Sequence, residues 1–292
     1  MPTFSLQAQP DNAAEWVETA RRAEAAGFAA LYVADHPGSC AAPHVALAAA
    51  AAVTSTIQLS AYVVNAGVRE PMLLAADVAT LDVVSGGRAI LGIGAGHTPA
   101  EWTAVGRTRP DVKGRIDHCI AVTEAARTLL SGGAVNGVPL TRPRPVQQPV
   151  PLLIGGGNTR LLRWAAEHAD IIGLGGLGRT LPDGHQHEVR WRPHEVDAQV
   201  ELVRGRTLEA LVQHVAVTDD AGAELAEAFG DVDLSEAELQ AAPYVLVGTA
   251  DEIVAKVREN ERRWGITRYA VRRPALDLLG PLLPRLASST TA

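Results

Sequence analysis

Residues 149–174 read PVPLLIGGGNTRLLRWAAEHADIIGL, and the order of residue types in this stretch decides the fold. Val150–Ile154 is a short β-rich run, Gly155–Gly157 break it, Asn158–His168 reads as a helix, and Asp170–Leu174 is β-rich again. Strand, tight turn, helix and strand make one βα step of a parallel sheet.

The same step recurs on both sides. Phe4–Gln9 reads as a first strand, followed by helix Asp11–Ala26, with Asp11 or Asn12 able to cap its start and Gly27 to end it. Strand Phe28–Ala34, helix Pro43–Thr54, strand Ile57–Val64, helix Pro71–Val84 and strand Arg88–Ile93 follow. Strand ends therefore recur at intervals of roughly 30 residues, one βαβ unit per step. Helix Lys113–Ser131 precedes the opening stretch. After it come a polar segment, Gly175–Pro193, a helix near His194–Arg204 and a strand over Leu208–Val217. Helices Asp220–Phe229 and Ser235–Ala241 lead to the segment Tyr244–Val247, then helix Ala250–Trp264, strand Thr267–Val271 and helix Ala275–Leu286. The count of strand–helix units is that of an α/β (β/α)8 TIM barrel occupying residues 1–292 as a single catalytic domain. Periodicity alone leaves a doubly wound open sheet as the alternative.

Composition agrees. Of 292 residues, 47% are hydrophobic and 20% charged, enough for a full-sized core and against disorder. A net charge of −7 leaves no electrostatic footprint for a nucleic-acid partner. Cys40 and Cys119 lack metal-ligand spacing, which fits a reducing compartment. Met1–Gln9 carries no signal-peptide pattern, and the alanine-rich run Ala41–Val53 is too short to span a bilayer. The expectation is a cytoplasmic protein with no membrane association.

A barrel places its chemistry at strand C-termini. There, Asp35–His36 offers a carboxylate and an imidazole able to move protons near neutral pH, or else a turn cap and a polar loop residue. Gly92–Gly96 with His97 is a poor dinucleotide fingerprint, because the third glycine position holds His97 and Pro99 precedes any helix. Small residues there are expected to admit a flat ligand against the main chain, with His97 and Glu101 at its rim. Gly155–Gly157 before a helix start is a ready phosphate site, with free N–H groups and a favourable helix dipole. Gly175–Arg179 faces it, and the segment onward carries His185, His187, Arg190, Arg192 and His194, either a basic ligand-contacting loop or a solvated one. No ligand pair at helical spacing supports a zinc site.

The motifs GFAALYVADH (Gly27–His36), ATLD (Ala79–Asp82), SGGR (Ser85–Arg88), LGIGAG (Leu91–Gly96), PVPLLIGGG (Pro149–Gly157), AAEHAD (Ala165–Asp170) and VGTADEI (Val247–Ile253) run in order along the chain. In that order they resemble the luciferase-like monooxygenase superfamily, and most closely its deazaflavin coenzyme F420-dependent oxidoreductases. The resemblance implies a cofactor ring at the C-terminal face, with Asp35 and His36 beside it and His36 as proton donor or acceptor. It places a non-proline cis peptide at Tyr62–Val63 behind the ring, Asn65 at the ring or ribityl edge, and the phosphate on Gly155, Gly156, Gly157, Leu174 and Gly175. His97 stands where the sugar-phosphate dehydrogenase branch has a catalytic glutamate, with Glu101 nearby, so that branch's activity does not carry over.

Relative to typical members of that superfamily the loops Pro37–Ala42 and Gly132–Val146 are short, so the resemblance implies an open mouth and a bulky natural-product or peptide substrate. The expected reaction is reduction of an activated C=C or C=N bond with F420H2, His36 or secondarily His97 supplying the proton. The alternatives are an FMN-dependent monooxygenase on the same barrel and an inactive cofactor-binding protein. A homodimer is expected by analogy alone.

Overall fold

The computed structural model describes residues 1–181 and 187–287. Eight parallel strands form the barrel: β1 (Thr3–Gln7), β2 (Ala30–Val33), β3 (Gln58–Ala61), β4 (Ala89–Gly94), β5 (Leu152–Gly155), β6 (Ile171–Leu174), β7 (Thr207–Leu211) and β8 (Ile266–Arg272). Each pairs with its sequence neighbour, and β8 pairs with β1. Leu59 and Ser60 of β3 pair with Ala89 and Ile90 of β4, which closes the ring and excludes an open sheet.

Both faces of every strand are covered, so the strands read as apolar runs rather than alternating ones. Their outer side chains pack with the helices in one core, while Ala30, Tyr32, Tyr62, Ile90, Leu153, Ile171 and Ala270 fill the lumen. The lumen also holds a carboxyl group. Glu209 is fully buried, accepting from the Ser5 hydroxyl at 2.8 Å and the Tyr32 hydroxyl at 2.9 Å, with Arg268 Nε at 3.7 Å.

Two expected strands are broken. Ile57–Val64 leaves the ladder after Ala61 and resumes at Val64–Asn65, beside Ile93 and Gly94 of β4. Leu208–Val217 divides into β7 and an outer strand, His214–Val217, which pairs with Val245–Gly248 away from the barrel. The division falls where Gln213 N–H turns to the Tyr244 carbonyl at 2.7 Å. Among the described residues no helix is long and apolar enough to cross a membrane.

The ATLD and SGGR segments lie where β4 begins, at the end of the barrel opposite the strand C-termini. Asp82 is fully buried and accepts from the Val146 and Gln147 N–H groups at 2.6 and 2.9 Å and from the Gln147 amide at 2.6 Å. Arg88 caps its neighbour loop by donating to the carbonyls of Ala51, Thr54, Ile57 and Ser85. These residues hold the base of the barrel rather than a ligand. Asp82→Ala removes the acceptor of the three Val146 and Gln147 donors and of Ala89 N–H and is expected to lower stability by about 3 kcal/mol, read as an earlier urea midpoint with an unchanged slope.

Candidate active site at the strand C-termini

The loops after β2, β3 and β4 converge on two carboxylates. Asp35, almost fully buried, accepts from both ends of the Arg69 guanidinium, with Nε at 3.0 Å, and from Asn65 N–H at 3.2 Å. It binds the β2 loop to the β3 loop. Glu101, equally buried on the short helix Pro99–Ala104, takes His36 Nδ1 at 2.7 Å on one oxygen and the Asn65 amide on the other. Asn65 is fixed at its second end by Gly67 N–H at 2.8 Å. The asparagine expected at a ring edge therefore braces Glu101, using both ends of its amide.

Charge follows from this geometry. The hydrogen bond to Glu101 raises the His36 pKa above its ordinary value, outweighing burial. Burial alone would push the Glu101 carboxyl up, but the bonds from His36 and Asn65 hold it below the usual range. His97 goes the other way, to about 4, because burial and the neighbouring His187 and His36 rings disfavour its cation. It meets both edge-on, with ring centres 5.5 Å from His36 and 4.5 Å from His187. His36, Ser39, His97, Thr98 and Glu101 line a mouth cavity of about 420 Å³.

The shelf below the mouth is the Tyr62–Val63 peptide, which is cis. Gln7, at the end of β1, donates its amide to the Tyr62 carbonyl at 2.8 Å. Tyr62 stacks on Tyr32 with ring centres 4.8 Å apart. The glycines at the strand ends serve this shelf. A Cβ at Gly92 would overlap the Ala61 carbonyl, one at Gly94 or Gly155 the Val63 methyls, one at Gly96 Asn65, and one at Gly173 the Tyr62 hydroxyl. The expectation that the Gly92–Gly96 run admits a ligand is thus corrected: the space belongs to the protein's own β3 loop.

Gly155–Gly157 end β5 beside Gly173 of β6 and the Leu177 carbonyl. The helix that follows, Thr159–His168, is partly capped by its own Asn158, whose oxygen accepts from Arg160 and Leu161 N–H at 2.9 and 3.3 Å. Those two donors are taken, a narrower anion site than the bare motif implies. Three other polar groups gather at this corner. Gln199 packs near Gly157, and Trp191 and Tyr244 pack against Gly176. The Gln199 amide, Trp191 Nε1 and the Tyr244 hydroxyl are buried without hydrogen-bond partners. Each such group costs about 1–3 kcal/mol unless a ligand meets it.

The polar segment after β6 forms a hairpin, Leu177–Thr180 against His187–Val189. Arg179 is paired with Glu188, and Arg192 with Glu238 and Asp233. His187 reaches His97, while His185 lies outside the described residues. Gln7, Arg69 and Gln199 escaped the sequence reading. Gln7 alone had a findable signal, a polar residue at the C-terminal end of a strand.

The chain belongs to the luciferase-like monooxygenase family, whose model matches residues 2–228. It is 31% identical over 180 residues to the uncharacterized protein Rv0953c of Mycobacterium tuberculosis, a match covering 52% of this chain and 64% of that one. It is 28% identical over 191 residues to 5,10-methylenetetrahydromethanopterin reductase of Methanopyrus kandleri, covering 58% of this chain and 54% of that one. Its matches thus span between half and two thirds of these relatives. The structure of the coenzyme F420 dependent tetrahydromethanopterin reductase from the same organism superposes with a TM-score of 0.71 at 20% identity, covering 97% of this chain and 99% of that one.

Glu101→Gln removes the negative charge behind His36. The His36 pKa is expected to fall toward or below 6.5, followed by NMR titration of the imidazole. Asp35→Ala leaves Arg69 half-buried and unpaired, for an expected loss of about 3 kcal/mol in thermal or urea unfolding.

Proposed function

We propose that this chain is an F420-dependent oxidoreductase that reduces an activated C=C or C=N bond of a bulky small-molecule or peptide substrate, His36 supplying the proton. The observation that carries the reading is the Asn65–Glu101–His36 array at the mouth, above the Tyr62–Val63 shelf. The residues present fit a cofactor with a ring and a phosphate-bearing tail. The tail would be held by the Gly155–Gly157 backbone, Leu174–Gly175 and the partnerless Gln199 amide, and the ring would rest over Tyr62–Val63. When bound in its reduced form, such a deazaflavin supplies a hydride, the chemistry the side chains here lack.

What the chain itself contributes is proton handling. Glu101 fixes His36 through Nδ1, which leaves Nε2 as the nitrogen able to give a proton to a substrate. The raised pKa keeps His36 in its acid form further up the pH scale than an ordinary imidazole. Its partial exposure at the mouth, 38% of the side chain, allows solvent to return the proton after each turnover. His97 stays neutral above about pH 4 and forms a wall between His36 and His187 rather than a second acid.

Titration of the purified protein with F420 and with FMN tests the cofactor: F420 is expected to bind tightly, and tight FMN binding without F420 binding overturns the proposal. With F420H2 and a panel of enones and imines, His36→Asn is expected to cut turnover by about 10²–10⁴ while leaving F420 affinity unchanged. Because the acid form is needed and its pKa is raised, turnover is expected to fall as pH rises through that pKa. In Glu101→Gln the fall moves to lower pH; a profile that does not move refutes the assigned donor.

A further inference from the structure

Beside the mouth lies a second hollow that the proposed reaction does not use. It is a groove of about 310 Å³ between the start of helix Ala13–Ala26 and helix Pro43–Ala51, lined by ten residues. Trp16 lines it as a buried ring whose Nε1 already donates to the Ala46 carbonyl at 2.8 Å, so the groove meets the apolar part of the indole. Ala42, Val45 and Ala49 line it from the second helix and its cap, and Val45 is 73% exposed although apolar. The space is open because these walls are mostly alanine. Asp11 is the one charged side chain among the described residues that line it, and it is exposed, so it keeps its water. The volume falls at the lower end of small-molecule sites, roughly 300–1,000 Å³. A stable protein interface takes roughly 20–30 residues a side, so a lining of ten suits a slender ligand rather than a second chain.

One loop separates this groove from the mouth. Pro37, Gly38 and Ser39 line the mouth cavity with His36, whereas Ala41 and Ala42 line the groove. Ser39 and Ala41 are two residues apart, at most about 7.6 Å of chain. The partition stays thin because the loop folds back on His36, whose carbonyl accepts from Ser39 and Cys40 N–H at 3.0 and 2.8 Å. Gln9 holds it in place, donating to the Ala34 carbonyl at 3.2 Å and accepting from Ala41 N–H at 3.2 Å. Pro10, next in the chain, lines the groove. His36 and the apolar groove are thus fixed on two sides of one short loop, Pro37–Ala42. A molecule whose reacting bond lies at His36 can lay a flexible apolar arm over that loop, and removal of hydrocarbon from water favours the placement.

We propose that the groove takes an apolar arm of the substrate, an alkyl or aryl chain, while the bond to be reduced lies at His36. The inference rests on the reading that the mouth receives the substrate, and it narrows the substrate class to molecules with an unsaturated polar head and a hydrocarbon arm.

Straight-chain primary alcohols from butanol to decanol probe the groove by ligand-observed NMR, titrated into the intact protein with no cofactor present. Wild type is expected to bind them about threefold more tightly per added methylene until the groove is full. The double variant Ala42→Leu and Ala49→Leu fills the groove from two exposed positions, and an unchanged urea midpoint shows that it folds. It is expected to bind octanol about tenfold more weakly. Val84→Ser, which removes an exposed apolar side chain outside the groove, is expected to bind octanol as wild type does. With F420H2 and straight-chain enones, KM is expected to fall with chain length in wild type at constant kcat, and to lose that dependence in the filled variant while short enones react as before. The alcohol titrations need neither cofactor nor turnover, so they succeed or fail apart from the F420 assignment. Chain-length-dependent binding that the filled variant loses, with no F420-linked turnover, overturns the proposed reaction and supports the groove. The proposal is overturned if alcohol affinity ignores chain length, if the filled variant binds octanol as wild type does, or if enone KM follows chain length equally in both proteins.

Discussion

The site hangs on a mismatch in the strand ladder. Ser60 pairs with Ile90 and Val64 with Ile93, so the chain after β3 advances four residues while β4 advances three. The extra residue must leave the ladder, as in any β-bulge, and it does so at Tyr62–Val63. That displacement swings the Tyr62 ring into the lumen over Tyr32 and points the Tyr62 carbonyl at Gln7. It also demands space from neighbouring strands. Glycines at 92, 94, 155 and 173 provide it, since side chains there would collide with the bulge. Four glycines on three other strands thus answer one irregularity on β3.

From that shelf the polar groups are tied together pairwise, and each pair joins two loops. Asp35 links the β2 and β3 loops through Arg69 and Asn65 N–H, and Glu101 links the β4 loop to the β3 loop through Asn65 and to the β2 loop through His36. Buried carboxylates are tolerated because every one has a cation or several donors. The lumen repeats the device one layer deeper, where Glu209 is met by Ser5, Tyr32 and Arg268. Burial pushes the Glu209 carboxyl up, so that layer resists carrying a full charge beneath the shelf.

Much of this was legible in the sequence, and the failures have physical causes. The barrel followed from the count of strand–helix units, regular at roughly 30 residues over the first half and looser over the second, because alternation reflects chain geometry rather than any one contact. His36 and Glu101 were findable from their places after strands. Their bond was not: 65 residues separate them, and only closure of the β3–β4 seam brings their loops together. The glycine runs misled because a glycine states that something is close without stating what. At Gly94 and Gly96 the neighbour is Val63 or Asn65. The break of Leu208–Val217 depended on an outer strand with no local signal.

The two imidazoles at the mouth have been driven to opposite states by unlike surroundings. Ring centres 5.5 Å apart in a half-buried site make a doubly charged pair unfavourable, so one proton is the stable load. Glu101 decides which ring carries it, since it bonds His36 and merely neighbours His97. A carboxylate in place of His97 would add a second negative group to the mouth and compete with Glu101 for His36. An uncharged ring there removes that competition and leaves Glu101 as the buried carboxylate that holds the proton on His36. The position of His97 therefore makes sense as a neutral wall that concentrates the proton on His36.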